Sequence, residues 1–138
     1  MLRALAFALH AYPTNENIIK RISFAVEKLA FENTMAQVQI LRAGLLQLMV
    51  AAMRSNLKSS TVQLYCCRAL HAIVYHNADA RTAAIQHNAL AAVTDALAKF
   101  HSDFSLQKSC NVAMDTIFPT ASSSFYSGVN RRKKESQA

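Results

Sequence analysis

Residues 61–75 read TVQLYCCRALHAIVY, and their apolar positions recur at the three- and four-residue spacing of one helical face. The same stripe returns 44 residues upstream and 44 residues downstream. Three matched copies without a gap predict a helical repeat. The stripe consists of Val62, Cys66, Ala69, Leu70 and Ile73, with the upstream copy Ile18, Ile22, Ala25, Val26 and Leu29 and the downstream copy Leu106, Cys110, Ala113, Met114 and Ile117.

Capping residues recur at the same period. A side chain that accepts hydrogen bonds from free N–H groups stands before each striped segment, and a residue that readily takes the left-handed backbone stands at each bend. The capping residues are Asn15, Ser59 and Asp103, and the bend residues are Gly44 and Asn88. Asn33 and Asn77, which follow two of the stripes, also match at this period. One unit is therefore predicted as short helix, bend, helix, capped turn and long helix.

The composition favours one all-α domain. The chain of 138 residues has only two Gly and two Pro, which are too few turn-forming residues for a β-rich fold. No apolar run reaches the roughly 18 residues that span a bilayer. The cysteines Cys66, Cys67 and Cys110 are odd in number, so we predict small core residues in a reducing compartment and no disulfide framework.

The positive charge is concentrated at the C-terminus. Of the formal charge of +7, residues 131–135 contribute +3 and residues 1–130 contribute +4. We predict a repeat domain over residues 1–119 and a disordered basic tail over 120–138. The tail bases Arg131, Arg132, Lys133 and Lys134 fit a solvated tail, a nuclear import signal or a phosphate-binding arm.

The residues that carry chemistry in enzymes are scattered. His71 and His76 are five residues apart and fall on different helical faces, which does not suit a shared metal. Cys67 and His71 have the spacing of a thiolate pair, although a packed thiol beside a surface imidazole explains them as well. There is no phosphate-binding glycine loop and no carboxylate pair. We therefore predict a protein that is not an enzyme and has no cofactor or metal.

Several short motifs resemble the armadillo repeat family, over residues 1–118. The resemblance rests on the bend at residues 41–46 (LRAGLL), on Val-Gln and Leu-Gln opening two long helices at 62–63 and 106–107, and on Ala-Leu and Ala-Met within them at 69–70 and 113–114. It implies a right-handed α-solenoid of about two and two-thirds repeats with a 44-residue period. It also implies a non-catalytic protein-binding scaffold or assembly subunit, with a concave groove lined by the long helices.

The groove of this chain departs from the family pattern of paired Trp and Asn side chains. The Trp places hold Phe24, Arg68 and Val112, and the Asn places hold Lys28, Ala72 and Thr116. The groove would instead present a basic and aromatic surface, which suits an acidic or aromatic segment of another protein. An ordinary charged helix face is the alternative. The predicted groove residues are Arg21, Phe24, Lys28, Tyr65 and Arg68.

The first residues are apolar on both sides of a helix. Leu2, Leu5, Phe7 and Leu9 are predicted to form an end-face interface, because the period places Met1 inside a unit and leaves one side uncovered. A second copy or a larger partner would cover that side. The alternative is that residues 1–12 are a targeting segment, since they have Arg3 and no acid.

Two rival functions remain open. One is a nucleic-acid-associated module that uses the basic tail and the groove, and the other is a structural subunit of a large assembly, for which a mitochondrial location is an alternative. The preferred prediction places a protein-binding scaffold in the cytoplasm or nucleus.

Overall fold

A computed structural model describes residues 1–119, so the predicted tail over 120–138, with Arg131, Arg132, Lys133 and Lys134, lies outside the described residues. The described part is all-α, which confirms the predicted class. Its helices are α1 (Leu2–Ala11), α2 (Glu16–Ala30), α3 (Thr34–Arg42), α4 (Leu45–Ser55), α5 (Ser60–Val74), α6 (Ala78–Gln86), α7 (Ala89–Lys99) and α8 (Phe104–Ile117).

The helix starts repeat every 44 residues. Helices α2, α5 and α8 begin at Glu16, Ser60 and Phe104, and the starts of α3 and α6 and of α4 and α7 differ by the same number. The chain therefore forms a first unit of α1 and α2, a second unit of α3 to α5 and a third unit of α6 to α8.

The predicted caps of the three long helices form, and Asn33 and Asn77 cap α3 and α6 as well. Each of the five side chains accepts a hydrogen bond from the backbone N–H three residues later, at distances of 2.9–3.1 Å. Gly44 and Asn88 take φ angles of 77° and 61°, so both bends use the left-handed backbone. The cap residues are Asn15, Asn33, Ser59, Asn77 and Asp103.

Corresponding helices of successive units lie side by side. Helix α2 packs on α5 and α5 on α8; α1 packs on α4 and α4 on α7; α3 packs on α6. Helices α2, α5 and α8 are parallel, because a residue nearer the C-terminus of one helix contacts a residue nearer the C-terminus of its neighbour. The five stripe residues of α5 are fully buried between these layers, as predicted.

Glutamine side chains join the helices of the second unit and of the third unit. Gln63 Nε2 donates to the carbonyls of Met53 (2.9 Å) and Asn56 (2.8 Å) at the end of α4. Its counterpart Gln107 donates to the carbonyls of Leu97 (2.8 Å) and Phe100 (3.0 Å) at the end of α7. Both glutamines therefore bind the backbone where the preceding helix ends, which gives the Gln at the start of α5 and of α8 a structural role.

The cysteine prediction is wrong for two of the three residues. Cys67 on α5 and Cys110 on α8 form a disulfide across two adjacent helices, with their Cα atoms 5.1 Å apart. Cys66 stays free and buried, and burial raises the pKa of its thiol to about 12. The odd number and adjacency along the chain were poor guides, because the pairing depends on how parallel helices align laterally.

The predicted end face is also corrected. Leu9 is only 3% exposed and packs into the core against the second unit, whereas Phe7 is 74% exposed. Leu2 and Leu5 are half-buried and pack against the core. Leu9 therefore belongs to the interior, because its side of α1 faces α4.

Among residues 1–119, no single helix is long and apolar enough to cross a membrane. Helices α3 and α4 reach that length and composition only when counted together, and they are bent by 66° at their junction.

Candidate protein-binding face

The exposed side that α2, α5 and α8 share is here named the third-helix face. It is basic and aromatic along α2 and α5, and it continues onto α8 with further apolar and cationic groups. Its residues are Lys20, Arg21, Phe24 and Lys28 on α2, Tyr65 and Arg68 on α5, and Phe104, Lys108 and Val112 on α8.

The structure places all five predicted groove residues on this face. Arg21, Phe24 and Lys28 are exposed on α2, while Tyr65 and Arg68 are half-buried on α5. The Lys28 ammonium lies 5.2 Å from the ring centroid of Phe24. The Arg68 guanidinium lies 5.5 Å from the ring centroid of Tyr65. Cations and aromatic rings are thus interleaved at cation–π distance.

Lys20 is a member of this face that sequence reasoning missed. Its ammonium lies 5.4 Å from the ring centroid of Tyr65. Together with Asn17, Arg21 and Phe24, these two residues line a shallow pocket between α2 and α5. The available signal was the i,i+4 spacing of Lys20 and Phe24, which places both on the same side of one helix.

Arg68 is held by an ion pair across the first helix junction. Its Nη2 and Nε atoms both donate to Glu27 Oε1, at 3.0 and 3.2 Å. The Arg68 charge is therefore largely balanced before any partner arrives. Within residues 1–119 no other salt bridge forms, so no acidic side chain there neutralises Lys20, Arg21 or Lys28, and these charges can attract a ligand.

A second hollow lies between α5 and α8. Arg68 and His71 border it on one side, and Phe104, Lys108 and Val112 border it on the other. Phe104 is 81% exposed, the largest exposure of an aromatic side chain in the described residues. Its signal in the sequence was an aromatic residue directly after the Asp103 cap, at a position where the first helical turn faces solvent.

His71 is neutral, and a hydrogen bond holds its imidazole ring in one orientation. Thr116 Oγ1 donates to the Val112 carbonyl at 2.8 Å, so the 2.7 Å contact with His71 requires Nδ1–H of the imidazole to donate to that hydroxyl. Burial lowers the pKa of His71, against a smaller opposing effect of the Glu27 carboxylate. The face therefore gains no positive charge from His71 at neutral pH.

Aromatic rings continue the face towards the ends of α2 and α5. Phe31 stacks on Tyr75 with ring centroids 5.3 Å apart, and Tyr75 lies 5.3 Å from the ring of His71. Phe31 remains about half exposed. The aromatic character of the surface thus extends beyond the residues that the sequence singled out.

The described residues bring no reactive cluster together. Cys67 is in the disulfide, so it cannot form a thiolate pair with His71. No group of three His, Cys, Asp or Glu side chains converges within residues 1–119.

No protein-family model matches this sequence, and neither a curated protein nor a solved structure matches it.

Proposed function

We propose that the chain is an armadillo-like repeat protein and a non-catalytic protein-binding scaffold. In this proposal residues 1–119 form a right-handed α-solenoid of about two and two-thirds repeats. Support comes from helix starts spaced by 44 residues and from the side-by-side packing of corresponding helices. Stacked repeats produce an extended surface lined by one helix from each unit, which suits an elongated ligand.

The proposed ligand is an extended protein segment that carries acidic and aromatic side chains. The observation that carries this proposal is the cluster around Tyr65: Lys20 and Arg68 lie 5.4 and 5.5 Å from its ring centroid, and of these two cations only Arg68 is paired with an acid. Unpaired cations attract carboxylates, and exposed rings favour aromatic contacts. A basic segment would meet like charges here and bind poorly.

The helix spacing suggests the pattern of the segment. Neighbouring helix axes are about 9 Å apart, and an extended chain advances about 3.3 Å per residue. Side chains about three residues apart would therefore meet successive helices. An acidic residue followed about six residues later by an aromatic one would place the carboxylate near Lys20 and Arg21 on α2 and the ring near Phe104 on α8, two helices away.

A fluorescence anisotropy titration with such a peptide tests the proposal. The double variant Lys20→Glu and Arg21→Glu should weaken binding about tenfold or more, because it turns attraction into repulsion. The control is Arg54→Glu with Lys58→Glu, which makes the same change of charge at two exposed positions near the end of α4. Arg68 is left unchanged, since a glutamate there would face Glu27.

Three results would contradict the proposal. Equal weakening in the control pair would show attraction by net charge alone. Equal affinity for a peptide with its acids changed to lysines would remove the electrostatic argument. Tighter binding of a single-stranded oligonucleotide, with a steep loss of affinity on adding salt, would favour the nucleic-acid alternative.

A further inference from the structure

The outer side of the first unit carries apolar residues at the positions that are buried between units elsewhere in the described residues. Five apolar residues of α1 and α2 are half-buried, while their counterparts 44 and 88 residues later are at most 4% exposed. We name these five the N-terminal end face: Leu5, Ala8, Ile18, Ala25 and Leu29. Their buried counterparts are Met49 and Val93, Ala52 and Ala96, Val62 and Leu106, Ala69 and Ala113, and Ile73 and Ile117.

The same comparison identifies an opposite surface on the third unit. Leu90 on α7 is exposed, and Leu97 and Met114 are half-buried. Their counterparts in the second unit are at most 1% exposed, because the third unit covers them. We name Leu90, Leu97, Met114 and Asp115 the C-terminal end face; counterparts of the three apolar members are Leu46, Met53 and Leu70.

These two surfaces are the two halves of a junction that the chain already makes twice. At each internal junction, the far side of one unit covers the near side of the next. The end faces hold the same apolar positions in the same register. A second copy of this chain therefore fits each end face, because the internal junctions already join the same two surfaces.

Charge supports the same register. Glu27 reaches Arg68, which is 41 residues later, and its counterpart His71 reaches Thr116, which is 45 residues later. The third member of that series is Asp115, which is half-buried and whose Oδ1 is buried without a hydrogen-bond partner among the described residues. The counterparts of Arg68 and Thr116 in the first unit are Phe24 and Lys28, which are both exposed and lie 5.2 Å apart from ammonium to ring centroid. Docking in either register would bring the Asp115 side chain to this pair, with Lys28 as its opposite charge.

We propose that copies of this chain associate head to tail, with the C-terminal end face of one copy docked on the N-terminal end face of the next. The interface is heterologous, since it joins two different surfaces, and repeated docking extends a stack. The proposal does not depend on a ligand at the third-helix face.

Sedimentation velocity from low to high micromolar concentration tests the association. Leu5→Glu should weaken it about tenfold or more, because a carboxylate would be buried among apolar side chains. Phe7→Glu is the control on the same helix: Phe7 and its counterparts Ala51 and Asp95 are all exposed. A wild-type monomer at every concentration, or equal losses in both variants, would overturn the proposal.

A charge exchange tests the register without touching the core. Asp115→Lys alone and Lys28→Asp alone should each weaken association, since each juxtaposes like charges. A mixture of the two variants should associate again, because every contact then pairs opposite charges. Association of Asp115→Lys at the wild-type level would show that another surface, such as two N-terminal end faces, forms the contact, and would overturn the proposal.

Discussion

The two junctions between the long helices use the same positions with different chemistry. At the junction of α2 and α5, Ser23 Oγ lies 3.6 Å from Cys66 Sγ, a weak hydrogen bond between buried groups. The positions 44 residues later are Cys67 and Cys110, and there the contact is a disulfide. One oxygen replaced by sulfur thus converts a weak contact into a covalent one at an unchanged place in the fold.

A second pair of equivalent contacts differs in charge. The first junction has the Glu27–Arg68 ion pair, partly exposed to solvent. The second has the neutral hydrogen bond from His71 to Thr116. Since both junctions keep one helix register, the apolar stripe, rather than any polar pair, sets the alignment, and the polar contacts adjust stability and surface charge.

The largest expected effect is a loss of stability caused by a substitution in α5, the helix that both junctions share. Leu70 is fully buried on α5, the helix that packs on both α2 and α8, so Leu70→Ala should lower the free energy of unfolding by about 2–5 kcal/mol. Met114→Ala at the equivalent position of α8 should cost less, because Met114 is half-buried. Guanidinium unfolding followed by circular dichroism measures both. An unchanged midpoint for Leu70→Ala would show that the helix register is wrong.

The next effect exchanges the chemistry of the two junctions. Cys67→Ser makes the second junction like the first, and it should cost about 2–4 kcal/mol because an unfolded loop is no longer closed. Ser23→Cys makes the first junction like the second and should form a bond with Cys66, with a gain of similar size. Unfolding with and without reductant measures each change.

Mass spectrometry provides the check on bonding. Alkylation of the denatured, unreduced wild-type protein should modify one thiol, that of Cys66. Modification of three thiols would contradict the disulfide. Modification of any thiol in the Ser23→Cys variant would contradict the proposed second bond.

The smallest effect is a pH dependence confined to the second junction. Burial lowers the pKa of His71 below its ordinary 6.5, so the unfolded chain binds the proton more readily. Stability from neutral His71 is present above pH 6.5 and is lost as pH falls through that value towards the lower folded pKa. Urea unfolding at several pH values should show a shallower decline in His71→Gln. An identical pH profile would rule out this contribution.

Much of the fold could be predicted from the sequence because its signals are local. The helix caps, the left-handed bends at Gly44 and Asn88, and the apolar stripe of α5 each depend on residues within a few positions of one another. The candidate site was predictable in part for the same reason. Arg21, Phe24 and Lys28 lie on one side of α2 by helical spacing alone.

The all-α class, the 44-residue spacing of the helices and the cap of each long helix follow from local sequence patterns. The contacts between side chains of different helices follow from tertiary packing: Cys67 with Cys110, Glu27 with Arg68, and Lys20 with Tyr65. Tertiary packing also places the Leu9 side chain in the core. The physical reason is that a period fixes where helices begin, whereas the lateral offset between neighbours comes from side-chain packing over the whole interface.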